Sequence, residues 1–215
     1  MKELLLKIRR RFLPGWNDEW PQLVEKSSAC NSVQFGSGLA TKLPNAVNVD
    51  INSSTQPDVI CDLNNKAFPF RDNVFDMVVA ISILEHLDDF FAVMGEIHRV
   101  SKCGATVHIL VPHFSSAAAF VDPTHRQHLS ARACDYFVEG ADIEREYHFY
   151  MPYRYRVKKR YIMLSGVWNY MPPLRWLVEK HTAFWEEHLC FLFRGAGVYW
   201  ELEVDKKISE RSDYK

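Results

Sequence analysis

Two stretches of this sequence hold residues whose types and spacing can do chemistry. The first is Asn31 to Asp62. There a short apolar segment, Ser32 to Phe35, runs into Gly36-Ser37-Gly38, a second, Ala46 to Asp50, ends in an acid, and a third, Val59 to Asp62, ends in another. Glycine has no side chain and tolerates positive φ, so a Gly-Ser-Gly turn after a strand lets a ligand approach bare backbone. A carboxylate at the end of the following strand is the usual partner of a ribose diol in nucleotide-binding α/β sheets. The pattern points to a nucleoside-containing ligand. The second stretch is PHFSSAAAFVDPTHRQHLS. His113 follows an apolar strand, and Asp122 and His125 flank Pro123-Thr124, where an oriented acid–histidine pair could take up a proton. An Asp-Pro-Thr-His turn can equally spend its side chains on its own amides. Arg126 and His128 add positive potential that suits an anionic substrate.

Several elements must hold these residues in place. Val74 to Ala80 reads as a buried central strand, apolar on both faces apart from Asp76. Ser82-Ile83-Leu84-Glu85-His86-Leu87 lies at its C-terminal end, where open α/β sheets place ligands. Glu85 and His86 stand just ahead of a helix and could cap it, and of the two only His86 is kept as a pocket candidate. Asp88 and Asp89 open that helix, Lys102-Cys103-Gly104 closes it, and Ala105 to Val111 forms the next buried strand. Little room is left between Gly36 and Asp50, an interval that includes Pro44, so the first crossover is abbreviated and lacks a full helix.

Composition sets the outer limits. The 215 residues suffice for one domain with excursions, and the formal net charge of −1 gives no global case for a polyanionic partner. The five cysteines are odd in number and widely spaced, which suits buried thiols in a reducing compartment better than a disulfide framework. Neither a metal-ligand spacing nor an apolar run of membrane-spanning length is found. A cytoplasmic location is expected. Residues 1–28 read as a helical lead-in, with Leu4, Leu5, Ile8 and Phe12 opposite a basic face, which leaves room for weak peripheral membrane contact.

The run from Val33 to Val111 resembles the Rossmann-like class I S-adenosylmethionine-dependent methyltransferases, in the small subgroup labelled type 11. Four features carry the resemblance: the Gly36-Ser37-Gly38 turn with Asp50, the Cys61-Asp62-Leu63-Asn64 segment, the Phe75-Asp76 strand leading to Leu84-Glu85-His86, and Glu96-Ile97-His98-Arg99-Val100 ahead of Lys102-Cys103-Gly104. The stretch from Val111-Pro112-His113 through Asp122-Pro123-Thr124-His125 to Tyr136-Phe137 is similar to members of the same subgroup. The chain departs from the family pattern at Ala40, where a third glycine is usual, and at Ser37, where cysteine or glycine is common.

The resemblance implies an α/β fold: a seven-stranded, mostly parallel sheet with an antiparallel last strand. It implies S-adenosylmethionine as cofactor, with Gly36, Ser37 and Gly38 beneath the methionyl part and Asp50 on the ribose hydroxyls. Ile51 would then pack on adenine and Asp62, with Leu63 beside it, would meet the adenine amino group. Ile81 and Ser82 would line the sulfonium end. The implied reaction is methyl transfer to a small-molecule or glycan-intermediate acceptor, with His113 or His125, helped by Asp122, as candidate base. An inactive nucleoside-binding scaffold, an NAD-dependent oxidoreductase and an RNA methyltransferase are the competing readings.

The remainder of the chain is read as support. Residues 29–205 form the domain, residues 150–182 hold an inserted lid or dimer element, and residues 206–215 are a polar tail. Ala131 to Val138 reads as a helix, and His181 to Arg194 as a buried aromatic helix that makes a homodimer plausible. Arg154 to Tyr161, basic residues among tyrosines, reads as a charged edge strand in preference to a nucleic-acid surface.

Overall fold

Alternation along Phe75–Ile81 sorts the core into two layers. Val78 and Ala80 enter one apolar cluster with Met94 and Ile97 of the helix Phe90–Val100, while Met77, Val79 and Ile81 enter another with Leu23 of the helix Trp16–Ser27. A strand apolar on both faces needs cover on both, and these two helices supply it. The computed structural model describes residues 16–39, 42–65 and 67–207, so the basic amphipathic segment, Ala40 and the last eight residues lie outside it.

The seven strands are Ser32–Phe35 (β1), Val47–Asp50 (β2), Val59–Ile60 (β3), Phe75–Ile81 (β4), Ser101–Pro112 (β5), Arg154–Leu164 (β6) and Gly195–Asp205 (β7). They form one sheet in the order β3-β2-β1-β4-β5-β7-β6. The first five are mutually parallel, and β7 runs antiparallel to both β5 and β6. The helices are Trp16–Ser27 (α1), Phe90–Val100 (α2), Ala118–Val121 (α3), Asp142–Tyr147 (α4), Pro172–Lys180 (α5) and Thr182–His188 (α6).

The link between β1 and β2 shows no helix among its described residues. Leu43 fills the space from the loop instead: it is fully buried beside Leu23, and its N–H donates to the buried Gln34 side chain at 2.6 Å. Asp89 caps α2 by accepting the Ala92 N–H at 2.9 Å. Lys102-Cys103-Gly104 proves to lie within β5 and does not close the helix. The β4–β5 register steps from Phe75–Ser101 to Met77–Thr106, so these residues bulge from the strand, with Gly104 at φ +79° and Lys102 reaching Asp76 at 2.8 Å.

Two expected helices are shorter than the sequence suggests. Between Ala131 and Val138 only Ala133–Tyr136 coils, as a 3-10 turn, because β6 claims the following backbone: Tyr155 N–H donates to the Phe137 carbonyl and Glu139 N–H to the Tyr155 carbonyl, both at 2.9 Å. The aromatic helix stops at His188. Trp185 and Cys190 are buried under it, but Phe184, Phe191 and Leu192 stand exposed, since only one of its sides meets the domain.

β6 is the sheet edge, as its charged alternation predicts. Its cations are matched with acids: Arg154 with Glu144, Arg156 with Glu139 and Asp205, Lys158 with Glu203, Lys159 with Glu19, and Arg160 with Asp135. At the other end of β7, His113 knots three elements together. Its Nδ1 accepts the Ser115 N–H at 3.1 Å, which leaves Nε2–H to donate to Glu186 on α6 at 3.2 Å. Ser115 Oγ accepts the Gly195 N–H, and a Cβ on Gly195 would come within 2.8 Å of the His113 ring.

Two stability predictions follow from buried histidines. Replacing His113 with Ala leaves Glu186 without its imidazole and opens a hole beside Trp185, so urea unfolding should show a loss of about 2–4 kcal/mol; unchanged stability would contradict the structural role. Burial pushes the His108 pKa down to about 3, with Lys26 adding a smaller effect, while its Nδ1 shares a hydrogen bond with Tyr199 at 2.8 Å. A depressed histidine pKa supports the fold fully above about 6.5 and withdraws that support as pH falls toward 3. His108→Gln should therefore flatten the fall in melting temperature between pH 6.5 and 4, and an unaltered slope would refute the assignment.

Candidate functional site

The C-terminal ends of β1, β2 and β4 converge on one edge of the sheet. Gly36 and Gly38 adopt φ +63° and +54°, conformations that a side chain would strain. A Cβ on Gly36 would come within 2.6 Å of Ile83, whereas a Cβ on Gly38 would meet nothing within 4 Å. Gly38 thus presents bare backbone to open space. Its N–H donates to Asp50 at 2.8 Å, and the other Asp50 oxygen accepts the Asn52 N–H at 2.9 Å. Each carboxylate oxygen keeps a further lone pair, so Asp50 can still accept from paired hydroxyls. Ser37 Oγ is buried and has no hydrogen-bond partner among the described residues. A turn with unobstructed backbone, an acid beside it and an unsatisfied hydroxyl fits a nucleoside donor.

Other residues expected at the donor divide into two groups. Ile51, 64% exposed, and the half-buried Asp62 and Ser82 lie at strand ends or beyond them. Ser82 is held at φ +50°, with its N–H on the Leu110 carbonyl at 2.8 Å. Asp62 sits past the end of β3 in a turn and accepts the Asn64 N–H at 2.9 Å. Leu63 and Ile81, in contrast, are buried in the two core clusters, because strand alternation and the turn after β3 aim them inward.

Next to this edge, the loop after β5 is fastened to the turn after β4. The Glu85 carbonyl accepts from Arg126 N–H at 2.7 Å and Gln127 N–H at 3.0 Å, while Arg126 pairs with Asp88. This sets His86 edge-on to His125, with ring centroids 4.6 Å apart. Asp122 accepts the Thr124 hydroxyl at 2.7 Å, so Thr124 Oγ1 can only accept from His86 Nδ1, at 2.9 Å. His125 Nδ1 donates to the Ala119 carbonyl at 3.1 Å. Both imidazoles therefore carry their open lone pair on Nε2. Burial and the neighbouring His125 lower the His86 pKa, while hydrogen bonds from Thr124 lower that of Asp122.

These contacts revise three sequence readings. Asp122 does not orient His125; it acts through Thr124 on His86, because the turn directs its carboxylate at the Thr124 N–H and hydroxyl. His113, fully buried with both ring nitrogens engaged, is placed as a strut and not as a base. Although the sequence shows no metal-ligand spacing, folding brings Glu85, His86 and His125 together, one potential ligand atom of each lying within 4.8 Å of the others. Thr124 and Glu85 are the residues sequence reasoning passes over. Thr124 lies within the motif, but its bond to another loop has no local signature.

A family model described as Methyltransferase domain matches residues 29–109. No curated protein matches the chain significantly. Among solved structures, the chain is similar to a SAM-dependent methyltransferase from Archaeoglobus fulgidus, at 16% identity over 95% of each chain with a TM-score of 0.56. It is also similar to a candidate methyltransferase from Bacillus halodurans, at 12% identity over 84% of this chain and 97% of that one, with a TM-score of 0.54. At such identities the likeness speaks for the fold, while the family model speaks for the segment that carries the glycine turn, Asp50 and His86. Residues 29–109 thus match the methyltransferase-domain family, and the whole sheet has the strand order and fold of the class I S-adenosylmethionine-dependent methyltransferases.

Proposed function

We propose that this protein transfers a methyl group from S-adenosylmethionine to a small-molecule or glycan-intermediate acceptor, with His125 as the base. One observation carries the donor half of this reading: the Gly38 N–H held on Asp50 across two parallel strands, with open space above the glycine. Bound S-adenosylmethionine supplies an electrophilic methyl carbon on a sulfonium. Asp50 accepts from the ribose hydroxyls, Gly38 admits the methionyl part close to backbone while Gly36 gives its side-chain space to Ile83, and Ser82 stands at the end of β4 toward the reacting carbon.

The acceptor half rests on the loop after β5. His125 has Nδ1–H anchored on Ala119 and so offers Nε2 to a proton leaving the acceptor as its new bond to carbon forms. His86, held by Thr124 and Asp122, lines the same side. A small acceptor is favoured over a nucleic acid because the basic stretch of β6 is occupied by its own acids.

Calorimetric titration with S-adenosylhomocysteine tests the donor site. The wild type should bind, and Asp50→Ala should weaken binding by about 10- to 100-fold, the worth of charged hydrogen bonds to two hydroxyls. Full affinity in Asp50→Ala would remove the proposed ribose contact.

A further inference from the structure

Glu85, His86 and His125 come from two loops, and the donor reading uses at most one imidazole for proton transfer. Glu85 is 2% exposed, and the rings of His86 and His125 meet edge-on. The hydrogen bonds fix which nitrogen of each ring is available. His86 Nδ1–H is held by Thr124, which is itself held by Asp122, and His125 Nδ1–H is held by the Ala119 carbonyl. Histidines that ligate metals usually show this arrangement, with one nitrogen donating to a carbonyl or to a carboxylate-linked partner and the other turned to the ion. One potential ligand atom of each of the three lies within 4.8 Å of the others.

We propose that Glu85, His86 and His125 bind one divalent first-row transition-metal ion, with Thr124, Asp122 and the Ala119 carbonyl as the supports that orient the ligands. Two imidazoles and one carboxylate form a donor set suited to zinc, cobalt, manganese or iron in the divalent state, and less suited to magnesium or calcium, which prefer oxygen. Metal–ligand bonds of about 2.0–2.2 Å require a small inward rotation of the side chains. Three protein ligands leave coordination positions for an acceptor oxygen, and an ion there would favour the deprotonated form of that oxygen. That catalytic use rests on the reading of this edge as the reaction centre and, in the loaded enzyme, replaces the base role of His125, whose Nε2 lone pair is then spent on the ion; metal binding itself does not depend on that reading.

The test uses the full chain, stripped with chelator and dialysed against Co²⁺, whose visible absorption reports nitrogen and oxygen ligands. The wild type should take up about one Co²⁺ per chain, with a melting temperature that rises on loading. His86→Ala and His125→Ala should each lose the bound metal and the metal-dependent shift while retaining the far-ultraviolet dichroism of the wild type. Thr124→Val, which keeps all three ligands but removes the support of His86, should weaken binding by about 10- to 100-fold. No stoichiometric uptake by the wild type, or uptake undiminished in both histidine variants, would overturn the proposal. S-adenosylhomocysteine titration of the same metal-free protein separates the two readings. Nucleoside binding without metal uptake sinks the metal site alone, and metal uptake without nucleoside binding sinks the donor site alone.

Discussion

The hydrogen-bond ladder of β4, with β1 on one side and β5 on the other, is the constraint on which the reactive edge depends. Its register sets Phe35 beside Ala80 and Ile81 beside Leu110, so the glycine turn, Ser82 and the start of the loop after β5 emerge at one level. Because every side chain of β4 after Asp76 is buried, a slip of one residue would exchange Met77, Val79 and Ile81 with Val78 and Ala80 between two differently shaped clusters. Core packing thus sets the alignment of groups that make no core contact themselves. The fastening of Arg126 and Gln127 to the Glu85 carbonyl extends that alignment to His125.

Much of the fold is legible in the sequence because it is written in local terms. The strands β1 and β4 announce themselves by apolar runs, α2 by its Asp89 cap, and the charged edge β6 by alternation. The lack of a crossover helix among the described residues can be read from spacing alone, although Leu43 as the residue that fills its space cannot, since its place depends on Gln34 and α1. The sequence misleads where tertiary contacts outbid local preference. The stretch after Ala131 is helical in composition, but β6 takes its backbone partners, and the bulge at Lys102 to Gly104 looks like a helix end because Gly and Lys suit both.

The geometry of the glycine turn was legible in the sequence, and that of the loop after β5 much less so. Glycines and Asp50 follow one another along neighbouring strands, so spacing and chemistry identify them together. His86, Thr124 and Asp122 are joined through space, and the Asp-Pro-Thr-His motif shows the right residues with the wrong pairing. His113 is the sharpest case: its position after β5 suits a base, yet Ser115, Glu186 and Gly195 turn it into a joint between β5, α6 and β7.

The short link between β1 and β2 also bears on how the chain reaches this structure. A parallel pair usually waits for a long crossover to close, and closing a long loop costs entropy before any contact returns it. Here β1, β2 and β3 follow one another over brief connections, so half of the sheet is assembled from contacts close in sequence. The other half must bring β7 back between β5 and β6 from the far end of the domain. Contact order is thus unevenly divided, low where β1, β2 and β3 pair and high where β7 pairs with β5, and contacts of high sequence separation are the ones that slow folding.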